Sequence, residues 1–416
     1  MSLIKPFKAI RPDEKLADKV AALPYDVMNS DEARVMVEGN PHSFLHVDKA
    51  EIDLPREVDL YDPIVYAKAR ENLDNMIKDG VLITEGQPCF YIYMLTMDGR
   101  EQNGLVACAS IDEYIEGKIK KHELTREDKE QDRIRHVEIC DANTGPIFLT
   151  YKNKQDIKQV VADWKKAHEA VYDFVSEDGI RHTCWAVDCP ETISKIQGAF
   201  KTIPALYIAD GHHRNASAVK VGLKKREENK NYTGEEEFNS YLAVIFPDDE
   251  LHIMDYNRIV NNLGGNTVDQ FLDKVKEKFT VCEYTGDGPC EPKKRHDFGM
   301  YLDGKWYTIT AKPEFIDEAD PVASLDVSIM QSNLLAPILG IQDPRTDKNI
   351  DFVGGIRGLK ELSDRVDNGS MKVAFSMFPT SMDELINIAD AGKIMPPKST
   401  WFEPKLRSGL FIHRLS

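Results

Sequence analysis

The sequence predicts an α/β protein, with α+β as the neighbouring possibility, built from mixed sheets in more than one layer. Three observations carry that prediction. Apolar runs such as Ile203–Ala209 and Tyr241–Phe246 read as buried strands. Helix-patterned stretches such as Thr267–Phe279 alternate with them, which points to layered strands and helices. An Asp98-Gly99 pair between two strand-like runs is a hairpin signal.

Taken in order, the elements fall into three expected regions, 1–110, 111–228 and 240–416. The first carries a helix pattern over Pro63–Lys78, a strand over Cys89–Leu95 and its hairpin partner over Gly104–Ile111. The second alternates charged helices with apolar strands and holds most of the polar constellations. A charged stretch between Lys224 and Phe238, interspersed with Asn229, Asn231 and Gly234, reads as a connection. The third opens on the Tyr241–Phe246 strand and continues with the Thr267–Phe279 helix. No internal repeat or low-complexity segment stands out.

The most informative run is Leu206-Tyr207-Ile208-Ala209-Asp210-Gly211-His212-His213-Arg214. Its apolar half reads as a strand, and His212 through Glu227 as a helix interrupted only by Gly222. A helix start offers free backbone N–H groups and the positive end of a dipole, so an anion would lie against Gly211. Arg214 adds a fork of donors suited to phosphate or carboxylate. His212 shares its phase with Ala216, Val219 and Leu223, an apolar stripe, and is expected to be structural. His213 shares its phase with Ser217, Lys220 and Lys224 and is the expected chemical or phosphate-contacting imidazole. The structural alternative is a capping Asp210, two satisfied imidazoles and a surface ion pair at Arg214.

Composition narrows the function classes. With 53 Lys and Arg against 70 Asp and Glu, the net charge is −17, which disfavours broad binding to nucleic acid or anionic membrane. A phosphorylated ligand then requires a locally basic pocket. Candidates are Lys118, Lys120 and Lys121 with Arg126, and Lys393, Lys398, Lys405 and Arg407, each of which alone is more often a solvated face. No apolar run approaches the roughly 20 residues of a membrane span, and the N-terminus lacks the apolar core of a signal peptide. The expected compartment is cytoplasmic. Seven cysteines without a Cys-x-x-Cys argue against a disulfide framework or a structural zinc site. Adjacent His212 and His213 lack the four-residue spacing that presents two imidazoles to one metal. His296-Asp297, following Lys293-Lys294-Arg295, is expected to be a solvated surface.

Two further segments gather chemistry. Lys120-Lys121-His122-Glu123-Leu124-Thr125-Arg126-Glu127-Asp128 offers an imidazole, a carboxylate, a hydroxyl and several cations. Glu123 could act as a general base if it folds over the Asp210 loop. The alternative is an exposed helix start with Thr125 as cap and Asp128 at its third position. Met395-Pro396-Pro397-Lys398-Ser399-Thr400-Trp401-Phe402 brackets a cation and two hydroxyls with prolines and aromatics. It could line a site, or be an irregular strand packed by Trp401 and Phe402.

These segments resemble the family catalogued as domain of unknown function 1015 over nearly the whole chain. The matching pieces are Ile10-Arg11-Pro12, Pro24-Tyr25-Asp26-Val27, Lys121-His122-Glu123 with Thr125, and Asp132-Arg133. Further matches are Ala209–Arg214, Tyr256-Asn257-Arg258, Met395–Thr400, Pro404-Lys405 and Ser408-Gly409-Leu410. More distantly, the Asp-Gly-His-His-Arg run is similar to that of free serine kinases of the ParB and sulfiredoxin-like superfamily. That resemblance implies a ParB/sulfiredoxin-like core over 111–228, with Glu123 as catalytic base and Asp210 and His213 as further catalytic groups. It implies nucleotide phosphates at Gly211, His212 and Arg214, to which Lys398, Ser399 and Thr400 are added as candidates, and Mg²⁺ with ATP or ADP, the metal held through Asp210.

The resulting expectation is phosphotransfer on a small hydroxy amino acid or its phosphate, either as a free serine kinase or as a phosphoserine phosphatase. A nucleotide-binding regulatory module without turnover is the alternative. The expected partners are a small-molecule substrate and a nucleotide, without nucleic acid or membrane.

Overall fold

Strands form where the apolar runs predict them. In the computed structural model, which describes residues 4–416, one large sheet contains nine strands. They are β1 (Ile4–Lys5), β2 (Phe90–Met97), β3 (Arg100–Ser110), β4 (Ile119–Lys120), β5 (Ile147–Tyr151), β6 (Tyr172–Val175), β7 (Arg181–Val187), β8 (Leu206–Asp210) and β9 (Ser240–Pro247). Their order is β4-β8-β5-β9-β3-β2-β7-β6, with β1 also on β3. Two pairs, β4–β8 and β5–β9, are parallel, and the others are antiparallel. Every residue of β9 is buried, as its unbroken apolar sequence requires of a strand covered on both faces. At the β2–β3 hairpin Met97 pairs with Arg100. Asp98 and Gly99 take φ of 51° and 77°, the conformation of a two-residue turn that follows the twist of the strands.

Helices α1 (Pro63–Lys78), α2 (Glu127–Cys140), α3 (Gln155–Ala167), α4 (Pro190–Phe200) and α5 (His212–Glu228) accompany this sheet. Asp62 caps α1 and proline takes its first position, which matches the expected bounds. Trp164 of α3 and Ile196 and Phe200 of α4 belong to one buried cluster with Ile92, Leu149, Ile208 and Ile245 of the sheet. Burying each such side chain contributes about 1.5–3 kcal/mol.

The chain forms two compact units. One comprises the residues up to Leu251 together with Pro404–Ser416, the other His252–Glu403. The reason lies in the pairing. The hairpin expected to close a first region sits mid-sheet, with β3 bonded to β9 and β2 to β7. The last residues return to this unit, where Ile412 bridges Ile10, Ser408 bridges Ala22 and His413 pairs with Asn143.

The second unit holds a six-stranded antiparallel sheet of β10 (Tyr256–Val260), β11 (Phe279–Glu283), β12 (Asp297–Leu302), β13 (Lys305–Ala311), β14 (Ile350–Gly354) and β15 (Val373–Ser376), in the order β11-β13-β12-β15-β10-β14. Thr267 and Gln270 cap helix α6 (Val268–Lys278) reciprocally. Trp401-Phe402 forms a short strand on Ile253-Met254. His296 corrects the expectation of a solvated surface. It is half-buried, with Nδ1 3.0 Å from Asp326 and Nε2 3.1 Å from Glu318. Two carboxylates hold the ring despite the charged run before it. Among the described residues no helix is long and apolar enough to cross a membrane, and all seven cysteines are free thiols.

Candidate functional site

Parallel pairing of β4 with β8 builds the site. Ile119 lies beside Leu206 and Lys120 beside Tyr207, so both chains leave the sheet at the same edge. The residues that follow, His122-Glu123 and Asp210-Gly211-His212, are therefore brought together. Loops beyond the carboxyl ends of parallel strands are where α/β sheets commonly bind ligands. A register shift between Ile208 and Asp210 against β5 is a bulge, a device that re-aims the side chain after it.

Gly211 is in the left-handed region at φ +87° and precedes α5, whose start no side chain caps. A Cβ at Gly211 would stand 3.2–3.3 Å from the Arg214 guanidinium, so both the turn and the arginine's approach require glycine. Asp210 Oδ1 accepts the Gly211 N–H at 2.8 Å and Oδ2 meets Lys405 Nζ at 3.1 Å. Burial alone would raise the Asp210 carboxyl. Lys405 and Arg214 outweigh it and hold the group well below the usual carboxylate range. Arg214 donates from Nη1 to the Pro146 carbonyl at 2.6 Å, while its Nε is buried without a partner. A cavity of about 20 Å³, lined in part by Tyr25, Asp48, Arg133, Thr144 and Arg214, has room for about one water.

The two histidines differ in burial and in partners. His212 is buried, as expected, and so is Val219, but Leu223 is exposed. His212 is more than packing: its Nδ1 lies 3.5 Å from Glu123 Oε2, and its Nε2 is buried without a partner. The His122 ring meets it edge-on at 4.5 Å. Burial pushes His122 down to about 4 and His212 well below the ordinary imidazole value. His213 is half-buried, and its Nε2 accepts the Arg126 backbone N–H at 3.0 Å. Burial lowers it also, with Asp26 and Glu130 opposing. Thr125 is not the cap of α2. Arg126 occupies that position, because the Thr125 hydroxyl is committed to Glu130 at 2.7 Å.

The structure thus brings Glu123, Asp210, Gly211, His212, His213 and Arg214 into one neighbourhood. Lys398, Ser399 and Thr400 belong to the other unit. There the Lys398 carbonyl accepts from Arg258 at 3.0 Å, its ammonium lies over the Tyr256 ring, and Ser399 donates to the Pro396 carbonyl at 2.6 Å. Sequence reasoning did not assign roles to His122, Tyr25, Asp26 or the Lys405–Asp210 pair. Tyr25 carries the Arg133 guanidinium 4.0 Å over its ring, and burial raises its hydroxyl pKa. The signal was present, since each of these residues lies in a short segment by which the chain resembles its family.

The family model for a protein of unknown function, DUF1015, matches residues 4–328. No curated protein matches the chain. Among solved structures, the chain is similar to a free serine kinase in complex with AMP, at 13% identity and a TM-score of 0.36, over 73% of this chain and 91% of that one. It is also similar to a conserved hypothetical protein from Pyrococcus furiosus, at 15% identity and 0.35, over 74% and 94%. C-terminally truncated SbnI from Staphylococcus aureus is similar at 10% identity and 0.37, over 73% and 85%.

Proposed function

This chain belongs to the DUF1015 family of proteins of unknown function, and we propose that it is a phosphotransfer enzyme acting on a small hydroxy amino acid or its phosphate. The observation that carries this reading is the Gly211 turn. A left-handed glycine opens a helix that no side chain caps, with Arg214 against it and Lys405 on the adjoining Asp210. Unsatisfied N–H groups and two cations at one helix start suit phosphate oxygens. The buried, unpartnered Arg214 Nε fits such a ligand. A nucleotide held by Gly211, His212 and Arg214 would supply the phosphoryl group. Mg²⁺ arriving with it would rest mainly on phosphate oxygens, and Asp210 could offer it the lone pairs that Lys405 and Gly211 leave.

Catalysis in this reading is positioning and charge stabilisation. Arg214 and Lys405 neutralise charge on the transferred group, and Asp210 fixes Lys405 and the turn. Glu123, beside His212, takes the proton of the acceptor hydroxyl. His213 ties the turn to the start of α2. The resemblance of the Asp-Gly-His-His-Arg run to that of free serine kinases makes L-serine the first acceptor to test. A cytoplasmic location is proposed as well.

A second reading, nucleotide binding without turnover, is favoured by the engagement of both Asp210 oxygens. Phosphorus NMR decides between them. The protein is incubated with Mg²⁺, ATP or ADP and L-serine, and separately with O-phosphoserine, with Asp210→Ala as control. Phosphoserine, or phosphate released from it, that the variant fails to make supports the enzyme. Nucleotide binding with no product in either mixture supports the module.

A further inference from the structure

We infer that His122, Glu123 and His212 form a binding site for a divalent ion of the zinc class. Each offers one ligand atom, and the three atoms lie within 4.8 Å of one another. Two ligands on a common tetrahedral ion at zinc bond lengths stand about 3.3–3.5 Å apart, and His212 Nδ1 is already 3.5 Å from Glu123 Oε2. The remaining adjustment falls to Glu123, whose side chain is 48% exposed.

Unsatisfied polarity is the independent sign of a missing ligand. His122 Nδ1 is buried without a hydrogen-bond partner, in a residue only 2% exposed. Native structures seldom leave such groups orphaned. The support around His122 is also that of a metal ligand. Its ring hydrogen-bonds the Ile208 carbonyl, which fixes the ring and leaves Nδ1 for an ion. Asp210 adds negative charge close to both imidazoles.

The donor set selects the ion. Imidazole nitrogen favours zinc, iron, nickel or copper, whereas Mg²⁺ and Ca²⁺ take oxygen ligands. Three protein ligands leave a coordination position open, as in catalytic rather than structural zinc sites. The absence of a four-residue histidine spacing is no obstacle, because the two imidazoles come from different loops that parallel strands set side by side. This site shares its loop with the phosphotransfer reading but does not depend on turnover. A bound ion occupies the Glu123 carboxylate, so the metal-bound form and the form with Glu123 as free base are alternatives.

The test uses the full chain, stripped with chelator and titrated with Co²⁺ alone, followed by visible absorption and by displacement with Zn²⁺. The expected result is one Co²⁺ per chain with the intense bands of a four- or five-coordinate ion. Glu123→Ala, a change at an exposed side chain, keeps the circular dichroism of the parent. It should weaken binding by at least the roughly 10–100-fold lost when a mere supporting group is removed from a metal site, and His212→Gln should abolish it. No band at one equivalent in the parent chain, or an affinity that Glu123→Ala leaves unchanged, overturns the inference. Because no nucleotide is present, this result and a failure to make phosphoserine are read separately.

Discussion

His182 on β7 and the pair His122–His212 at the ends of β4 and β8 are almost equally withdrawn from water, at 0%, 2% and 5% exposure, yet oppositely provided for. His182 Nδ1 meets Tyr93 Oη at 2.7 Å, and Nε2 meets Ser176 Oγ at 3.0 Å and Arg407 at 3.3 Å. Arg407 is closed off in turn by Asp178. Each member of that cluster is satisfied by another, which is what a polar tie in a core requires. At the other site each ring keeps an orphaned nitrogen, and beside it Arg214 keeps an orphaned Nε. Burial alone therefore says little about role. Burial with bonding capacity left over marks the place where a ligand belongs.

The comparison can be broken most decisively at Asp210. Asp210→Ala should lower phosphotransfer by about 100- to 1,000-fold, the usual loss when one preorganised electrostatic group is removed, while circular dichroism stays native. Activity within a few-fold of the parent would dissolve the site. Next in size, His182→Ala should destabilise the fold by about 2–4 kcal/mol in urea unfolding, since it strands several buried partners. A change below about 0.5 kcal/mol would mean that the β7 cluster is not a structural tie.

The third prediction concerns pH. Burial first, then the neighbouring Arg407, lowers His182 from 6.5 to about 3. Between those values the unfolded chain holds a proton that the folded chain refuses, so stability is full above pH 6.5 and falls toward pH 3. Unfolding free energy measured across that window should show the slope, and His182→Gln should make it shallower by the share of one proton, His122 and His212 keeping theirs. An equal slope in the variant would assign the effect elsewhere. The smallest effect sharpens the contrast from the other side. Glu123→Ala should change unfolding free energy by no more than about 0.5 kcal/mol, although it removes the proposed base and the proposed metal ligand. Between the adjacent imidazoles, His212→Gln should cost more turnover than His213→Gln, reversing the expectation from helical phase.

Periodicity made the elements legible. The helix at Pro63–Lys78, the hairpin at Asp98-Gly99 and the strand-to-helix step at Asp210–His212 stand where local chemistry put them, because caps, turns and apolar runs act over a few residues. Long-range pairing was not legible, since no local signal says that β3 pairs with β9 or that Ser408 returns to Ala22. The site was half legible for the same reason. Gly211 and Arg214 announce themselves within one turn, but the meeting of His122 with His212 depends on parallel pairing across the intervening chain. Helical phase placed His212 on the buried face, where it lies, but phase asks which face is apolar, not which nitrogen has a partner.

The Lys405–Asp210 pair also has a consequence in time. Its members are 195 residues apart, and chains are synthesised at about 5–20 residues per second. A newly made Asp210 loop thus waits on the order of 10–40 s for its cation. During that interval only Arg214, of the two cations that hold the carboxylate ionised, has been made, and the nascent protein can fold much of its sheet before the Asp210 loop is complete.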